Sequence, residues 1–144
     1  RGRTLAVAES CTGGLIGHRL TQVAGSSAYV DRGAVCYSNR AKTEMLGVPE
    51  AMIAQYGAVG REVAAAMACG MRERAHVSVG LSVTGIAGPG GGTETKPVGL
   101  VYLACLGRSK PLTVTRHVFG GDRTAVRLAT VDRAFDLLEQ AIRD

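Results

Sequence analysis

The sequence predicts a single three-layer α/β/α domain built around a mixed β-sheet. Its 144 residues, of which 46% are hydrophobic and 20% charged, suit one globular domain with a substantial core. Short apolar, strand-like runs alternate along the chain with segments of helical periodicity. Neither a linker nor an internal repeat interrupts this alternation, so we expect residues 1–144 to form one domain.

The first half of the chain is predicted to contain two strands and four helices. An apolar strand over 4–8 leads through a Gly-Gly pair into a helix, because apolar side chains recur at helical spacing from Leu15 to Val23. A second strand is predicted over 33–37. Three helices are predicted next, over 41–46, 49–56 and 61–75. The middle one begins with proline and is followed by glycine, as is typical of helix ends.

The second half is predicted to contain three strands, over 77–83, 98–106 and 112–119, and a long amphipathic helix over 122–142. The connection at 84–97 is 14 residues long and holds five glycines. Connections of that length are usually functional or disordered, whereas most run ~4–6 residues. Either a mobile surface hairpin or a loop whose backbone approaches a ligand would fit.

Glycine is the outlier of the composition, with 20 residues where average usage of roughly 7% predicts about 10. The excess is concentrated at 13–14, 85–92 and 120–121. We interpret these glycines as positions at which the backbone approaches a substrate.

The composition also excludes several classes of protein. No apolar run approaches the ~20 residues that span a bilayer, and we expect no secretory leader. The four cysteines and three histidines are scattered, so we expect reduced thiols in a cytoplasmic protein, with neither a metal nor another cofactor.

The net charge of +5 is concentrated towards the two ends of the chain, without a Lys/Arg run, and only 4% of residues are aromatic. This distribution favours a small anionic ligand over nucleic acid or a membrane surface. The apolar strands and the Ala-rich helix leave room for a homo-oligomer of two or more chains, which we expect.

The first candidate motif is ESCTGG at 9–14, where the first strand leads into the first helix. A helix N-terminus offers unpaired N–H groups to a phosphate or an oxyanion, and the glycines allow close approach. The alternative is that Ser10 or Thr12 is only a helix N-cap.

The second candidate motif combines GSSAY at 25–29 with YSNRAK at 37–42. A serine nucleophile needs a base, and a lysine with a lowered pKa or a tyrosine that relays the proton could serve. Desolvation would favour neutral Lys42. Alternatively, a serine caps a turn, Tyr37 ends a strand and Lys42 is a solvated helix residue.

The third candidate motif is GGDR at 120–123, in which Asp122 is predicted to cap the last helix. Arg123 opposes the helix dipole, which favours a ligand-binding role. The alternative is an exposed arginine paired with a neighbouring carboxylate.

Seven motifs, in order and nearly without gaps, resemble the CinA C-terminal domain family: AESCTGG, GSSAYV, YSNRAK, LGV, YGAV, TGIAGPGGGTETKPVG and GGDR. Members of known activity deamidate nicotinamide mononucleotide (NMN), giving nicotinate mononucleotide and ammonia in pyridine nucleotide recycling. The resemblance implies this amidase activity, through a serine–lysine mechanism without metal. The alternative function is a noncatalytic nucleotide-binding protein associated with competence or DNA damage.

The resemblance also implies the site residues. Ser27 is predicted as the nucleophile, with Ser10 as the alternative, Lys42 as the base and Tyr37 as its assistant. The residues implied in substrate binding are Thr12, Gly13, Gly14, Thr84, Gly85, Gly88 and Arg123.

Two departures from the family pattern stand out. Members usually carry a helix before the first strand, and larger members an upstream nucleotide-processing domain; we expect this chain to lack both, and loss of that helix to expose apolar surface. Gly60 also replaces the serine that usually follows the Gly-Ala-Val motif, where we expect it to cap a helix at little cost.

Overall fold

Residues 2–143, which the computed structural model describes, form a five-stranded sheet between two layers of helices. The strands are β1 (Leu5–Glu9), β2 (Val30–Val35), β3 (Val79–Gly85), β4 (Leu100–Leu106) and β5 (Thr113–Val118). The helices are α1 (Leu15–Thr21), α2 (Asn39–Leu46), α3 (Glu50–Tyr56), α4 (Arg61–Ala75) and α5 (Arg123–Ile142), and a 3₁₀ helix covers Ser26–Ala28.

The sheet is mixed, in the order β2-β1-β3-β4-β5. Strand β1 runs parallel to both of its neighbours, whereas β4 runs antiparallel to both of its own. The predicted α/β/α fold class is confirmed. The terminal residues 1 and 144 of the predicted domain lie outside the described residues.

Two apolar cores lie on opposite faces of the sheet because side chains alternate along each strand. On β1, Leu5 and Val7 face α1 and α5, whereas Ala6 and Ala8 face α2, α3 and α4. No helix within residues 2–143 is long and apolar enough to cross a membrane.

Some glycines serve packing rather than substrate approach. A Cβ on Gly80 of β3 would lie 2.5 Å from the Ala68 carbonyl oxygen of α4, and one on Gly70 would lie 2.0 Å from the Leu46 carbonyl oxygen. Glycine therefore lets α4 pack closely against the sheet and against α2. The interpretation of the glycine excess as substrate approach does not extend to these two positions.

Strand β2 begins and ends earlier than the predicted strand over 33–37. It lies at the edge of the sheet and its residues are largely exposed, so it lacks the apolar pattern of a buried strand. The Cys36 N–H still donates to the Glu9 carbonyl oxygen at 2.7 Å. This bond brings the segment after β2 alongside the end of β1.

The strand directions bring distant segments together at one edge of the sheet. This edge is formed by the ends of the strands and not by the outer strand β2. The carboxyl ends of β1, β2 and β3 share this edge because the three strands are parallel. Strand β5 runs in the same direction as β3, so the start of α5 lies there as well. In open α/β sheets, ligands bind beyond the carboxyl ends of the strands, and the candidate motifs at 9–14, 37–42 and 120–123 meet at this edge.

Candidate active site

A cavity of about 180 Å³ opens at this edge of the sheet. Its lining combines a serine, a lysine, a tyrosine and an arginine with small residues: Ser10, Cys11, Tyr37, Lys42, Ala58, Val59, Thr84, Gly85, Ala87 and Arg123. The lining residues come from segments up to 113 positions apart in the chain, from Ser10 to Arg123.

Lys42 is the most unusual residue of the cavity because its side chain is 1% exposed. It lies in α2, whose N-cap Ser38 accepts a hydrogen bond from the Ala41 N–H. The Lys42 Nζ lies 3.1 Å from the Ser10 Oγ, 3.0 Å from the Cys36 carbonyl oxygen and 3.0 Å from the Tyr37 carbonyl oxygen. These three oxygens match the hydrogen-bonding capacity of one amino group.

Burial lowers the pKa of Lys42, and the neighbouring Cys36 and Cys11 thiols act weakly in the opposite direction. A neutral amine donates two hydrogen bonds and accepts one. The Cys36 and Tyr37 carbonyl oxygens can accept the two N–H groups, while the Ser10 hydroxyl donates to the lone pair. The same atomic positions also satisfy the ammonium form, so a proton can pass between Ser10 and Lys42 without rearrangement.

The backbone of Ser10 is held on both sides. Its N–H donates to the Val83 carbonyl oxygen at 3.1 Å, which ties it to β3, and its carbonyl oxygen accepts from the Gly13 N–H at 3.1 Å. Ser10 is buried at the start of the turn 10–14, which we call the serine turn. Backbone contacts therefore hold the main chain that carries the hydroxyl, and the hydroxyl itself contacts the Lys42 Nζ.

Glu9 occupies the helix N-terminus that was predicted to hold a substrate anion. Its buried carboxylate accepts from the Thr12 hydroxyl at 2.6 Å, the Ile16 N–H at 2.9 Å and the Gly17 N–H at 3.0 Å. The protein's own carboxylate thus satisfies the first turn of α1. The prediction that these N–H groups bind a substrate anion is therefore corrected. The Glu9 carboxylate, which belongs to the same motif, is the anion that they bind.

Arg123 and Tyr37 lie at the mouth of the cavity. The Arg123 Nη1 donates to the Gly88 carbonyl oxygen at 2.7 Å, and its Nη2 donates to the Tyr37 hydroxyl at 3.3 Å. Asp122 caps α5, as predicted, by accepting from the Ala125 N–H at 2.9 Å. Tyr37 is 60% exposed, so an aromatic face and a guanidinium group are presented to a ligand entering from solvent.

The structure does not bring Ser27 to Lys42. Ser27 lies in the 3₁₀ helix before β2, is exposed and does not line the cavity, whereas Lys42 follows the opposite end of that strand. The six residues of β2 span about 20 Å when extended. The serine that the structure places beside Lys42 is therefore Ser10 and not Ser27.

The residues implied in substrate binding divide into two groups. Thr84, Gly85 and Arg123 line the cavity, and Gly88 contacts it through the carbonyl group that holds Arg123. Thr12, Gly13 and Gly14 do not line it. Thr12 is fully buried and directs its hydroxyl to Glu9, so its contribution is to the shape of the serine turn.

Four lining residues were not named individually as site residues, although Ala87 lies in the turn from Thr84 to Gly88 that the resemblance implies: Cys11, Ala58, Val59 and Ala87. The Thr84 hydroxyl donates to the Ala58 carbonyl oxygen at 2.8 Å, which holds the segment between α3 and α4 against the cavity. All four belong to motifs that carried the family resemblance, but small apolar residues have no chemical signature of their own. Burial raises the pKa of Cys11 to about 11, so its thiol is protonated at neutral pH and is a poor nucleophile.

The glycine-rich loop is anchored rather than free. The Ile86 N–H donates to the Leu100 carbonyl oxygen at 2.9 Å, and the Gly99 N–H donates to the Ile86 carbonyl oxygen at 2.7 Å. The Lys96 ammonium group donates to the Tyr56 carbonyl oxygen at the end of α3. The loop is therefore tied to β4 and to the end of α3, and the residues at its start, Thr84, Gly85 and Ala87, line the cavity.

A second, larger groove of about 1130 Å³ lies at the opposite edge of the sheet. Its lining includes the apolar side chains of Leu5, Leu20, Phe135 and Leu138. Within the described residues, neither serine, cysteine, histidine nor lysine lines it, and no group of three or more His, Cys, Asp or Glu side chains could hold a metal ion. The smaller cavity is therefore the candidate active site.

Comparison with known proteins agrees with the resemblance. Residues 1–142 match the model of the CinA C-terminal domain. A CinA-like protein of Citrifermentans bemidjiense is 58% identical over 139 residues, and one of Syntrophus aciditrophicus is 51% identical over 140 residues. These matches cover 96% and 97% of this chain and 33% of each relative, so the chain spans about a third of the length of the curated relatives.

Solved structures show the same fold. The competence/damage inducible protein CihA of Agrobacterium tumefaciens has a TM-score of 0.96 at 48% identity, covering 99% of this chain and 87% of that one. The competence damage-inducible protein A of Klebsiella pneumoniae has a TM-score of 0.92 at 34% identity, covering 97% and 86%. On the family match, the sequence identities and the shared fold, the chain belongs to the CinA C-terminal domain family.

Proposed function

We propose that the protein is an amidohydrolase that converts NMN into nicotinate mononucleotide and ammonia, with Ser10 as nucleophile and Lys42 as general base. The observation that carries this proposal is the 3.1 Å contact between the Lys42 Nζ and the Ser10 Oγ inside the cavity. The family resemblance supplies the substrate, and burial of Lys42 lowers its pKa and so favours the neutral amine.

In the first step, the Ser10 Oγ attacks the carboxamide carbon while the neutral Lys42 Nζ takes the hydroxyl proton. The distance of 3.1 Å is within the range for direct proton transfer. The Cys36 and Tyr37 carbonyl oxygens, both 3.0 Å from Nζ, stabilise the ammonium that forms. Tyr37 therefore supports the base through its carbonyl group, while its hydroxyl contacts Arg123.

Negative charge on the carboxamide oxygen requires hydrogen-bond donors in the cavity. The N–H group that follows the nucleophile is the usual donor in serine hydrolases, and here it belongs to Cys11, which lines the cavity. One such donor contributes ~2.7–4 kcal/mol to stabilisation of the transition state. A Cβ on the neighbouring Gly85 would lie 2.7 Å from the Val101 Cγ2 and 3.1 Å from the Cys11 Sγ, so glycine lets the backbone pack closely beside Cys11.

Lys42 then returns its proton to the departing amino group, so ammonia leaves and Ser10 carries the nicotinoyl group as an ester. A water molecule enters the vacated position, gives a proton to the neutral Lys42 and attacks the ester carbon. Collapse of this second intermediate returns the proton to Ser10. The net reaction consumes one water and one carboxamide and produces one carboxylate and one ammonium ion.

The mouth of the cavity suits the nucleotide part of the substrate. The Arg123 guanidinium group is held by Gly88 and Tyr37, so it presents a fixed positive charge to a 5′-phosphate. The exposed ring of Tyr37 offers an aromatic face to the pyridinium ring. Binding energy from the phosphate would orient the carboxamide towards Ser10.

The test is release of ammonia from NMN by the purified protein, with and without a metal chelator. Nicotinamide and glutamine serve as parallel substrates. We expect ammonia from NMN at an unchanged rate in the chelator, and far less from the other two amides. If NMN binds but releases no ammonia, the protein is a noncatalytic nucleotide-binding module and the proposal fails.

A further inference from the structure

Arg127 of α5 contacts the serine turn, although the reaction described above does not use it. It lies one helical turn after Arg123, yet it does not line the cavity. Its Nη2 donates to the Thr12 carbonyl oxygen at 2.8 Å, and the same guanidinium group lies 3.4 Å from the position of a Cβ on Gly13. Arg127 therefore packs against the outer side of the serine turn.

The position of Arg127 is costly for the fold. Its Nε is buried and has no hydrogen-bond partner, and within residues 2–143 the side chain makes no ion pair. A partly buried cation with an unsatisfied donor costs stability, and a shorter apolar residue would avoid that cost. The favourable interaction that the structure shows for Arg127 is its hydrogen bond to the Thr12 carbonyl oxygen.

One peptide group connects Arg127 to Ser10. The Thr12 carbonyl that accepts from Arg127 and the Gly13 N–H belong to the same peptide unit, and this N–H donates to the Ser10 carbonyl oxygen at 3.1 Å. A charged donor on the carbonyl side polarises the peptide and strengthens the bond made by its N–H. On the other side of the turn, the Thr12 hydroxyl is held by Glu9.

We propose that Arg127 is a positioning residue for the nucleophile: through the Thr12–Gly13 peptide group, it holds the serine turn so that the Ser10 hydroxyl stays directed at Lys42. The inference rests on the proposed function. It assigns Arg127 an effect on the reactivity of Ser10 and none on the capture of substrate, because Arg127 does not line the cavity.

The electrostatics of the turn agree with this assignment. The Arg127 charge acts to lower the pKa of the Cys11 thiol, although burial has the larger and opposite effect. Cys11 directly follows Ser10, so this effect of Arg127 acts on the residue next to the nucleophile. A positive charge there also favours the oxyanion that forms beside the Cys11 N–H.

The experiment compares Arg127→Met, Arg127→Lys and the wild type in two assays. One measures kcat and KM for NMN, and the other measures the rate at which a fluorophosphonate probe labels Ser10, followed by mass spectrometry. Arg127→Met should lower both kcat and the labelling rate about 10-fold while KM stays within twofold. The reason is that the variant loses the charged hydrogen bond to Thr12, which acts on Ser10 through the Thr12–Gly13 peptide group. Arg127→Lys, which keeps a cation and a donor, should recover most of each loss.

The matched control is Arg133→Met on the same helix. Arg133 is exposed and pairs with Asp136 at 3.1 Å, so its loss should change neither rate. If Arg127→Met lowers the melting temperature but leaves the labelling rate of the folded protein unchanged, Arg127 is only structural and the inference is overturned. The same conclusion follows if KM alone rises.

Two further outcomes are separated by the design. If Arg127→Met does not fold, Arg127→Gln is compared with the wild type, and the same loss of labelling is expected because the shorter amide does not reach Thr12. If the wild type is labelled at Ser10 but is inert towards NMN, the proposed function fails, while the labelling rates of the Arg127 variants still decide the role of Arg127.

Discussion

The Lys42 Nζ lies 3.1 Å from the Ser10 Oγ, although the two residues are 32 positions apart in the chain. Strand β1 delivers the serine and the segment after β2 delivers the lysine, because both strands are parallel and end at the same edge of the sheet. The side chain that contacts the Lys42 amine is thus a hydroxyl group and not a carboxylate. Because a hydroxyl group carries no negative charge, it does not hold the proton on the amine.

Substituting each of the two candidate serines separates their roles. Ser10→Ala should lower kcat for NMN by at least about a thousandfold, because it removes the nucleophile from the cavity. Ser27→Ala should retain activity within about twofold of wild type, since Ser27 is exposed at the far end of β2. Ammonia release measured side by side, with circular dichroism to confirm folding, checks both. An inactive Ser27→Ala beside an active Ser10→Ala would reverse the assignment.

The pH dependence of kcat/KM should report Lys42. Burial lowers the pKa of Lys42 from its ordinary value of 10.5, and only the neutral amine can act as base. Activity should therefore rise with pH and level off once the pH exceeds the lowered pKa, below pH 10.5. Tyr37→Phe keeps the backbone carbonyl that contacts Lys42, so the same limb should persist. A limb that disappears in Tyr37→Phe would assign it to the tyrosine hydroxyl.

Replacing Arg123 should affect the phosphate end of the substrate. Arg123→Met should raise KM for NMN about 10- to 100-fold, since a charged hydrogen bond is worth about 1.5–3 kcal/mol. For the riboside of nicotinamide, which lacks the phosphate, the same substitution should raise KM much less. Steady-state kinetics with both substrates make the comparison. Equal losses on the two substrates would show that Arg123 does not bind the phosphate.

Glu9 should contribute measurably to stability. Glu9→Gln replaces one carboxylate oxygen by a donor, so at least one of the Thr12, Ile16 and Gly17 donors loses its acceptor in a buried position. We expect the free energy of unfolding to fall by about 1–3 kcal/mol in urea titration. Glu44→Gln, at an exposed salt bridge with Arg40, should cost less than about 0.5 kcal/mol. Equal effects of the two substitutions would contradict this account.

Gly60 offers a stabilising substitution. It is the N-cap of α4 and makes no side-chain capping bond, and its φ of −166° is extended backbone that any residue adopts. The nearest atom to an added Cβ is the Tyr56 carbonyl oxygen at 3.5 Å, an ordinary contact. Gly60→Ser should raise the free energy of unfolding by roughly 0.5 kcal/mol through capping and a less flexible unfolded chain. A loss of stability in thermal denaturation would exclude this capping role.

The alternation of apolar strands and periodic helices was enough to predict the element order and the layered fold, because both patterns follow from local geometry. Strand β2 shows where this reasoning fails: its exposed edge position removes the apolar pattern on which strand prediction depends. The motifs at 9–14, 37–42 and 120–123 are predicted from the sequence as candidate sites, and residues of all three line the cavity. The sequence also leads us to expect that burial favours neutral Lys42, and burial lowers its pKa.

Sequence alone determined which residues could do chemistry here: a serine, a lysine, a tyrosine and an arginine in family motifs. Which serine meets the lysine was decided only by the tertiary structure. Residue type and motif do not report strand direction, and strand direction places Ser10 beside Lys42 while it sends Ser27 to the far end of β2. The same holds for Arg127, whose contact with Thr12 exists because α1 and α5 pack on one face of the sheet.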